Sequence, residues 1–405
     1  KFMGAASGAV LGAPALLEGA KSYRYSELES RIARRDFRGI SKQDLPTPVL
    51  VLDQEIFERN LRHMAGHCKA TGIHLRAHVK VHRSADIGQR QVKAGAIGLS
   101  CATIAECELM SASGISGLLW TAQPVGINKT QRVAALAKKD PTFMCVADDP
   151  IVVDALNEAA AAANAKVRVV VDIDVGIGRQ GTQPGREALD LAERVMKSKS
   201  LALAGLMGYS GRASHTSGWE ERRRVSREEA GKLLESVSLC RASGVPVEIV
   251  TGGSTGTYNI DSDQGWLTEL QAGSYALMDS RYAVIGSKSG SPTYDDFGCA
   301  LTVLTRVISK KYPNKAAIDA GNKSMTQPSD VAKGWPGVRV ERAGAEYGML
   351  LWDQAEREPK LGDLVELIPS NLDMSVNTFD RMYVCQGDQV VDVFSVLGRT
   401  GPPQK

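Results

Sequence analysis

Eight apolar runs recur between residues 74 and 279, and helical spacing separates most of them. The runs are "HLRAHVK", "GLSCAT", "GLLWTA", "TFMCVAD", "VRVVVDID", "LAGLMGYS", "VEIVTGGS" and "LQAGSYALMD". Between them lie amphipathic segments such as "TIAECELMSASG" and "GREALDLAERVMKS". Continuous apolar strands must be covered on both faces, which is the condition of a parallel sheet wrapped by helices. Eight such units in series predict a (β/α)8 barrel of the TIM type. A buried strand "TPVLVLD" and a helix ending at Gly72 precede them. After about residue 296 the long helices stop. Runs such as "ALTVLTRVIS", "GDLVELIP" and "RMYVCQGDQVVDVFSVLG" predict a C-terminal β-rich domain. The expected division is a barrel over 45–295 and a β domain over 296–405, with the charged, irregular stretch 21–44 as a linker.

The bulk numbers exclude several classes. A net charge of +3 over 405 residues gives no electrostatic footprint for nucleic acid. Seven scattered cysteines without a CxxC pair argue against a disulfide scaffold or a thiolate zinc site. Residues 1–20, containing "FMGAASGAVLGAPALLEGA", have the small, apolar character of an export-signal remnant. The stretch "KFMGAASGAVLGA" resembles the tail of a twin-arginine signal, which predicts a periplasmic protein with no membrane segment in its mature form. Without a signal the protein is cytoplasmic.

In a (β/α)8 barrel, chemistry sits at the C-terminal ends of the strands. Here those ends carry Lys80 on the first strand and Cys101 and Thr103 on the second. Gln123 follows the third, Arg179 the fifth and Tyr209 the sixth. Strand alternation places Lys80 on a face with His78 and His82. A buried lysine among imidazoles loses part of its preference for charge and becomes a nucleophile toward carbonyls. The seventh and eighth ends, "TGGSTGT" and "QAGSY", are rich in Gly, Ser and Thr, in the two positions where barrels bind phosphate. Amide N–H groups and hydroxyls in such loops are able to cradle an anion. A lysine, an arginine, a tyrosine and a two-loop phosphate site together point to pyridoxal phosphate.

The motifs "LRAHVKVHRS", "VDIDVGIGRQG", "GLMGYSG", "VTGGSTGT" and "ELQAGSYALMD" occur in this order. In this the chain resembles the D-threonine aldolase and D-serine dehydratase family, fold-type III pyridoxal phosphate enzymes with an alanine racemase-like barrel. The resemblance implies that Lys80 forms the Schiff base, that Arg179 contacts the cofactor near its phenolic oxygen, and that Tyr209 lies beside the pyridine ring. It implies a phosphate site of Gly252, Gly253, Ser254, Thr255, Gly273 and Ser274, with His82 as proton shuttle. It also implies a homodimer acting on a small amino-acid substrate. His63, His67 and His74 are expected to be solvated.

The C-terminal domain departs from the family pattern. Where a histidine and a Cys or Asp two residues on hold a divalent metal, this chain reads "SNLD", with Asn371 for the histidine and Asp373 retained. Tyr347 in "AEYGM" replaces a second histidine, and no histidine follows His215. An Asn/Asp pair is a poor transition-metal site, so metal use is expected to be altered or absent. Three functions follow from the resemblance and its departures. The first is a lyase cleaving the Cα–Cβ bond of a D-β-hydroxy amino acid. The second is a racemase or epimerase with Lys80 and Tyr347 on opposite faces, or a D-serine dehydratase-like deaminase. The third is a pyridoxal phosphate carrier without turnover.

The export reading predicts that deleting residues 1–20 leaves cofactor binding and the melting temperature unchanged. A large fall in Tm on deletion would show a packed N-terminal segment instead.

Overall fold

A computed structural model of the protein describes residues 23–325 and 331–397. Residues 1–20, expected from the sequence to be an export-signal remnant, lie outside the described residues. Eight parallel strands close into a barrel: β2 (His74–His78), β3 (Gly98–Cys101), β4 (Leu119–Trp120), β5 (Met144–Ala147), β6 (Val167–Asp172), β7 (Leu201–Gly208), β8 (Ile249–Gly252) and β9 (Glu269–Leu270). These are the eight predicted runs in the predicted order. Alternation along each strand splits the core. Leu119, Met144, Val146, Val170, Ala204 and Met207 form one cluster from β4 to β7. Cys145, Val169 and Val171, their neighbours in sequence, belong to the larger cluster that includes residues of the surrounding helices.

The eighth run is mostly not strand. Only Glu269 and Leu270 pair in β9, and Ser274–Ala276 form a 3-10 turn. The short β9 still closes the barrel, through parallel pairing to β2 and β8. A buried ion pair secures the β2–β9 seam. Arg76 donates from Nε and Nη2 to the two carboxylate oxygens of Glu269, each at 2.8 Å, with Arg76 only 4% and Glu269 only 2% exposed.

A second sheet of nine strands carries the C-terminal domain. Added to β1 (Val49–Asp53) are β10 (Leu301–Tyr312), β11 (Lys315–Ile318), β12 (Val331–Ala332), β13 (Val338–Arg342), β14 (Gly348–Trp352), β15 (Leu364–Ile368), β16 (Arg381–Gln386) and β17 (Gln389–Ser395). Their order is β11-β14-β13-β12-β15-β10-β1-β16-β17. This corrects the predicted boundary at residue 45. Strand β1 joins the C-terminal sheet, antiparallel to β10 and parallel to β16. Val49 and Val51 pack in one apolar cluster and Leu50 and Leu52 in the other, so the strand is buried on both faces of this sheet.

The stretch 21–44 is not a bare linker either. Within it Tyr25–Ala33 form a helix. Leu28 and Ile40, both almost fully buried, pack with Val51, Leu304 and Tyr383. Its apolar residues are few and widely spaced, so its charged composition hid a packed face. All seven cysteines are free thiols, as expected. No helix among the described residues is long and apolar enough to cross a membrane.

Breaking the Arg76–Glu269 pair by Glu269→Ala leaves a buried guanidinium without its counter-charge. The expected loss is roughly 3–5 kcal/mol, measured by denaturant unfolding. A loss below about 1 kcal/mol would mean that the seam does not depend on this pair.

Candidate active site

Strand β2 ends at His78, and the chain then enters a 3-10 turn, Val79–Val81. Val79 and Val81 are buried, which pins the turn on both sides of Lys80. Lys80 therefore does not continue the strand alternation, as the sequence pattern suggested. It enters a cavity of about 280 Å³ at the C-terminal mouth of the barrel. Successive strands supply the other walls: Thr121 after β4, Asp172 at the end of β6, Tyr209 after β7, Ser254 and Thr255 after β8, and Gly273 and Ser274 after β9.

The loop that brings Arg179 to this cavity is built by local hydrogen bonds. The Asp174 carboxylate accepts the backbone N–H groups of Gly176, Ile177 and Gly178 at 2.9–3.1 Å. Gly181 closes the loop with φ +108°, where a Cβ would sit 2.4 Å from the Asp174 nitrogen. Arg179 then lies over Tyr209, its guanidinium carbon 5.9 Å from the ring centre.

The two Gly/Ser/Thr loops lie side by side. Tyr275 N–H donates to Thr255 Oγ1 at 2.9 Å, and Tyr294 O–H donates to the Thr255 carbonyl at 2.6 Å. Ser254 N–H donates to Thr257 Oγ1 at 3.1 Å. The backbone N–H groups of Thr255, Gly256 and Ser274 find no acceptor among the described residues. Such amides at a barrel mouth suit an anion. The glycines divide by role. Gly273 lines the cavity, and a Cβ there would meet the His78 carbonyl at 2.6 Å. Gly252 and Gly253 do not line it. A Cβ on Gly252 would sit 2.3 Å from the Gly208 carbonyl, and Gly253 has φ +72° with Asp261 Oδ2 2.8 Å from its Cβ position. They shape the loop rather than touch what it holds.

Lys80 forms an ion pair that the sequence reading did not anticipate. Its Nζ lies 2.9 Å from Asp373 Oδ2, on the short helix Leu372–Asn377 of the C-terminal domain. Burial pulls the Lys80 pKa down, but the charge of Asp373, assisted by Tyr209, more than offsets this and holds it above the ordinary lysine value. The expectation of a lysine already biased toward the neutral amine is thus corrected: the counter-charge outweighs desolvation. His78 lines the cavity and is kept neutral by burial and by the charge of Lys80.

His82 is not brought to the cavity. It is fully buried, with Nε2 3.2 Å from Gln91 Oε1 and Nδ1 accepting from Ser84 N–H at 3.1 Å. Burial drives its pKa down to about 4. The turn at Val79–Val81 breaks the two-residue repeat that placed it beside Lys80. Tyr347 is 53% exposed and does not line the cavity. Thr103 serves as a helix cap, accepting from Glu106 N–H. His63 and His67 are not simply solvated: His63 Nε2 lies 3.0 Å from Tyr258 Oη and His67 Nε2 lies 2.8 Å from Ser262 Oγ.

His215 was not singled out by the sequence pattern. It follows the short helix Gly211–Ser214, its ring centre 4.4 Å from that of Tyr282, a cavity residue. Its Nδ1 is buried without a partner. Burial, then the charges of Arg281 and Lys80, lower its pKa to about 4, so it stands neutral at physiological pH. Its only sequence signal was proximity to "GYSGRAS".

The cavity therefore offers an amine, a guanidinium and an anion cradle, which fit the aldehyde, phenolic oxygen and phosphate of pyridoxal phosphate. The metal fares differently. The Asn371 side chain caps its own helix, accepting from Met374 N–H at 3.2 Å. Asp373 faces Lys80. No group of three or more His, Cys, Asp and Glu able to hold a metal ion occurs among the described residues. The donors present do not fit a transition-metal site.

The model of the alanine racemase N-terminal domain matches residues 52–281, and a serine dehydratase domain model matches 300–385. A D-threonine aldolase of an Arthrobacter species is 33% identical over 87% of this chain and 92% of its own. A 3-hydroxy-D-aspartate aldolase of Paracoccus denitrificans is 30% identical over 89% of this chain and 94% of its own. The crystal structure of D-threonine aldolase from Filomicrobium marinum superposes with a TM-score of 0.84 at 33% identity, over 88% of this chain and 96% of that one. The chain belongs to the D-threonine aldolase and D-serine dehydratase-like family with the alanine racemase-type barrel. It is a pyridoxal phosphate-dependent lyase.

Replacing Ser254, Thr255 and Ser274 together by alanine removes hydroxyls facing the anion cradle. Each hydrogen bond lost to a charged group is worth roughly 1.5–3 kcal/mol, so the cofactor should dissociate at least tenfold more readily from an intact fold. Unchanged retention on dialysis would place the phosphate elsewhere.

Proposed function

We propose that the chain cleaves the Cα–Cβ bond of a D-configured β-hydroxy amino acid, releasing glycine and an aldehyde. The observation that carries this reading is the Asp373 carboxylate, 2.9 Å from Lys80 Nζ. It sets an oxygen base beside the amine that holds the cofactor. Pyridoxal phosphate, when bound, supplies the electron sink for the pair left as the bond breaks. The residues of the chain do the proton work. Asp373 takes the proton of the β-hydroxyl, and the oxygen left behind becomes the aldehyde carbonyl as the bond to Cα breaks. Lys80, once displaced from the cofactor, is placed to return a proton at Cα. Arg179 and the two loops orient the cofactor.

This route uses no metal, in keeping with the donors present. The racemase reading loses support because Tyr347 lies outside the cavity of its own chain. The relatives with curated names are aldolases and dehydratases, which argues against a carrier without turnover. Export through residues 1–20 and assembly as a homodimer are further proposals. Cell fractionation of the full-length protein and a solution mass of twice 43.4 kDa would support them.

A screen of D- and L-β-hydroxy amino acids tests the reaction. The expected products are glycine and aldehyde in equal amounts, from D substrates only, with activity retained in chelator. Asp373→Asn should lower kcat by about 10²–10⁴-fold, the range for a positioned general base. A 2-oxo acid with ammonia would show a dehydratase instead. A stoichiometric transition metal bound at Asp373 would overturn the metal-free route.

A further inference from the structure

The cofactor cavity is lined by a buried carboxylate that the reaction above does not use. Strand β6 turns Val170 toward the barrel-interior cluster, and two residues on, the same face presents Asp172 at the mouth. Asp172 is only 3% exposed, yet it lines the cofactor cavity. Two amides grip it: Gln180 Nε2 donates at 2.6 Å and Gln123 Nε2 at 3.3 Å. Gln180 is itself fixed, donating also to the Thr121 carbonyl at 2.9 Å. The Gln123 Oε1 is buried without a partner, so this amide is spent on the carboxylate alone.

The arrangement is costly unless it acts. Among the described residues no lysine or arginine forms an ion pair with Asp172, although Arg179 is carried on the loop that follows it. Burial is the main influence and pushes its pKa up to about 7, with Asp148 and Asp174 adding to the rise and Gln180 and Arg179 opposing it. Asp148 after β5 and Asp174 and Arg179 on the following loop act on its charge, and His78 and Lys80 after β2 and Tyr209 after β7 line the same cavity. His78 is neutral.

We propose that Asp172 is an electrostatic partner of the bound cofactor, and that its charge adds to that of Asp373 in favouring the protonated lysine–cofactor linkage. The inference rests on the cofactor reading of the cavity. When Asp172 is ionised, its negative charge favours the protonated, cationic nitrogen of the linkage. When it holds a proton, that support is gone. The sign follows directly. Removing the charge lowers the pH at which the linkage loses its proton, and stabilising the charge raises it.

The test is the visible absorbance of the bound cofactor, followed against pH. Asp172→Asn keeps the shape and both amide contacts within reach, and should move the transition down by about one pH unit, a tenfold change in the proton equilibrium. Asp172→Glu should restore much of the wild-type profile. Gln180→Leu removes the hydrogen bond that favours ionised Asp172, and should also move the transition down, by less. A simple packing role predicts that none of these profiles moves. The inference is overturned if Asp172→Asn and Gln180→Leu, with cofactor bound, titrate as the wild type does. Wild-type protein that never acquires the visible band with added pyridoxal phosphate would overturn the cofactor reading, and this inference with it.

Discussion

Strand β1 is the constraint on which the site depends. It pairs over four positions with β10 and over four with β16, and so sits inside the C-terminal sheet although it precedes the whole barrel in sequence. The helix Gln54–Thr71 leads from it straight into β2. Asn60 of that helix accepts from Gly298 N–H at 2.8 Å and donates to its carbonyl at 2.7 Å, joining it to the segment that leaves the barrel. The chain therefore enters and leaves the barrel beside the same sheet. The two domains cannot swing apart without breaking a strand that is buried on both faces.

That clamp gives the Lys80–Asp373 contact its meaning. An ion pair with both partners more than a third exposed contributes little stability alone, typically less than about 1 kcal/mol. It is too weak to hold the helix Leu372–Asn377 over the barrel mouth; the sheet does that. The pair is a consequence of domain placement, and its value is chemical. It brings a carboxylate of one domain within 2.9 Å of an amine that enters a cavity walled by the barrel.

The barrel was legible because its strands are covered on both faces and so read as unbroken apolar runs. The sequence also showed Lys80, Arg179, Tyr209 and the two Gly/Ser/Thr loops, since a parallel barrel sends chemistry to strand ends. What it did not show depends on contacts distant in sequence. The membership of β1 in the far sheet needs partners some 250 and 330 residues away. The packed face of Tyr25–Ala33 rests on single residues such as Leu28 among charges. His82 was misplaced because one 3-10 turn ended the two-residue repeat. Gly252 and Gly253 were assigned to the phosphate, yet neighbouring backbone and Asp261 account for them. His215 could not be chosen without knowing that its short helix returns it to Tyr282.

Asn371 shows how a departure from a family pattern can be read physically. An asparagine amide is a weak metal ligand but a strong helix cap, preferred where a side-chain oxygen must meet the free N–H groups of the first turn. Here it makes that bond to Met374 and begins the helix that carries Asp373. The residue that no longer suits a metal thus fixes the direction of the carboxylate two positions on. Asp373 forms an ion pair with Lys80. A carboxylate bound to a divalent ion is a poor base, because the ion stabilises its charged form. A carboxylate paired with an amine keeps an oxygen able to accept a proton. The substitution and the proposed proton transfer are in this sense one feature of the site.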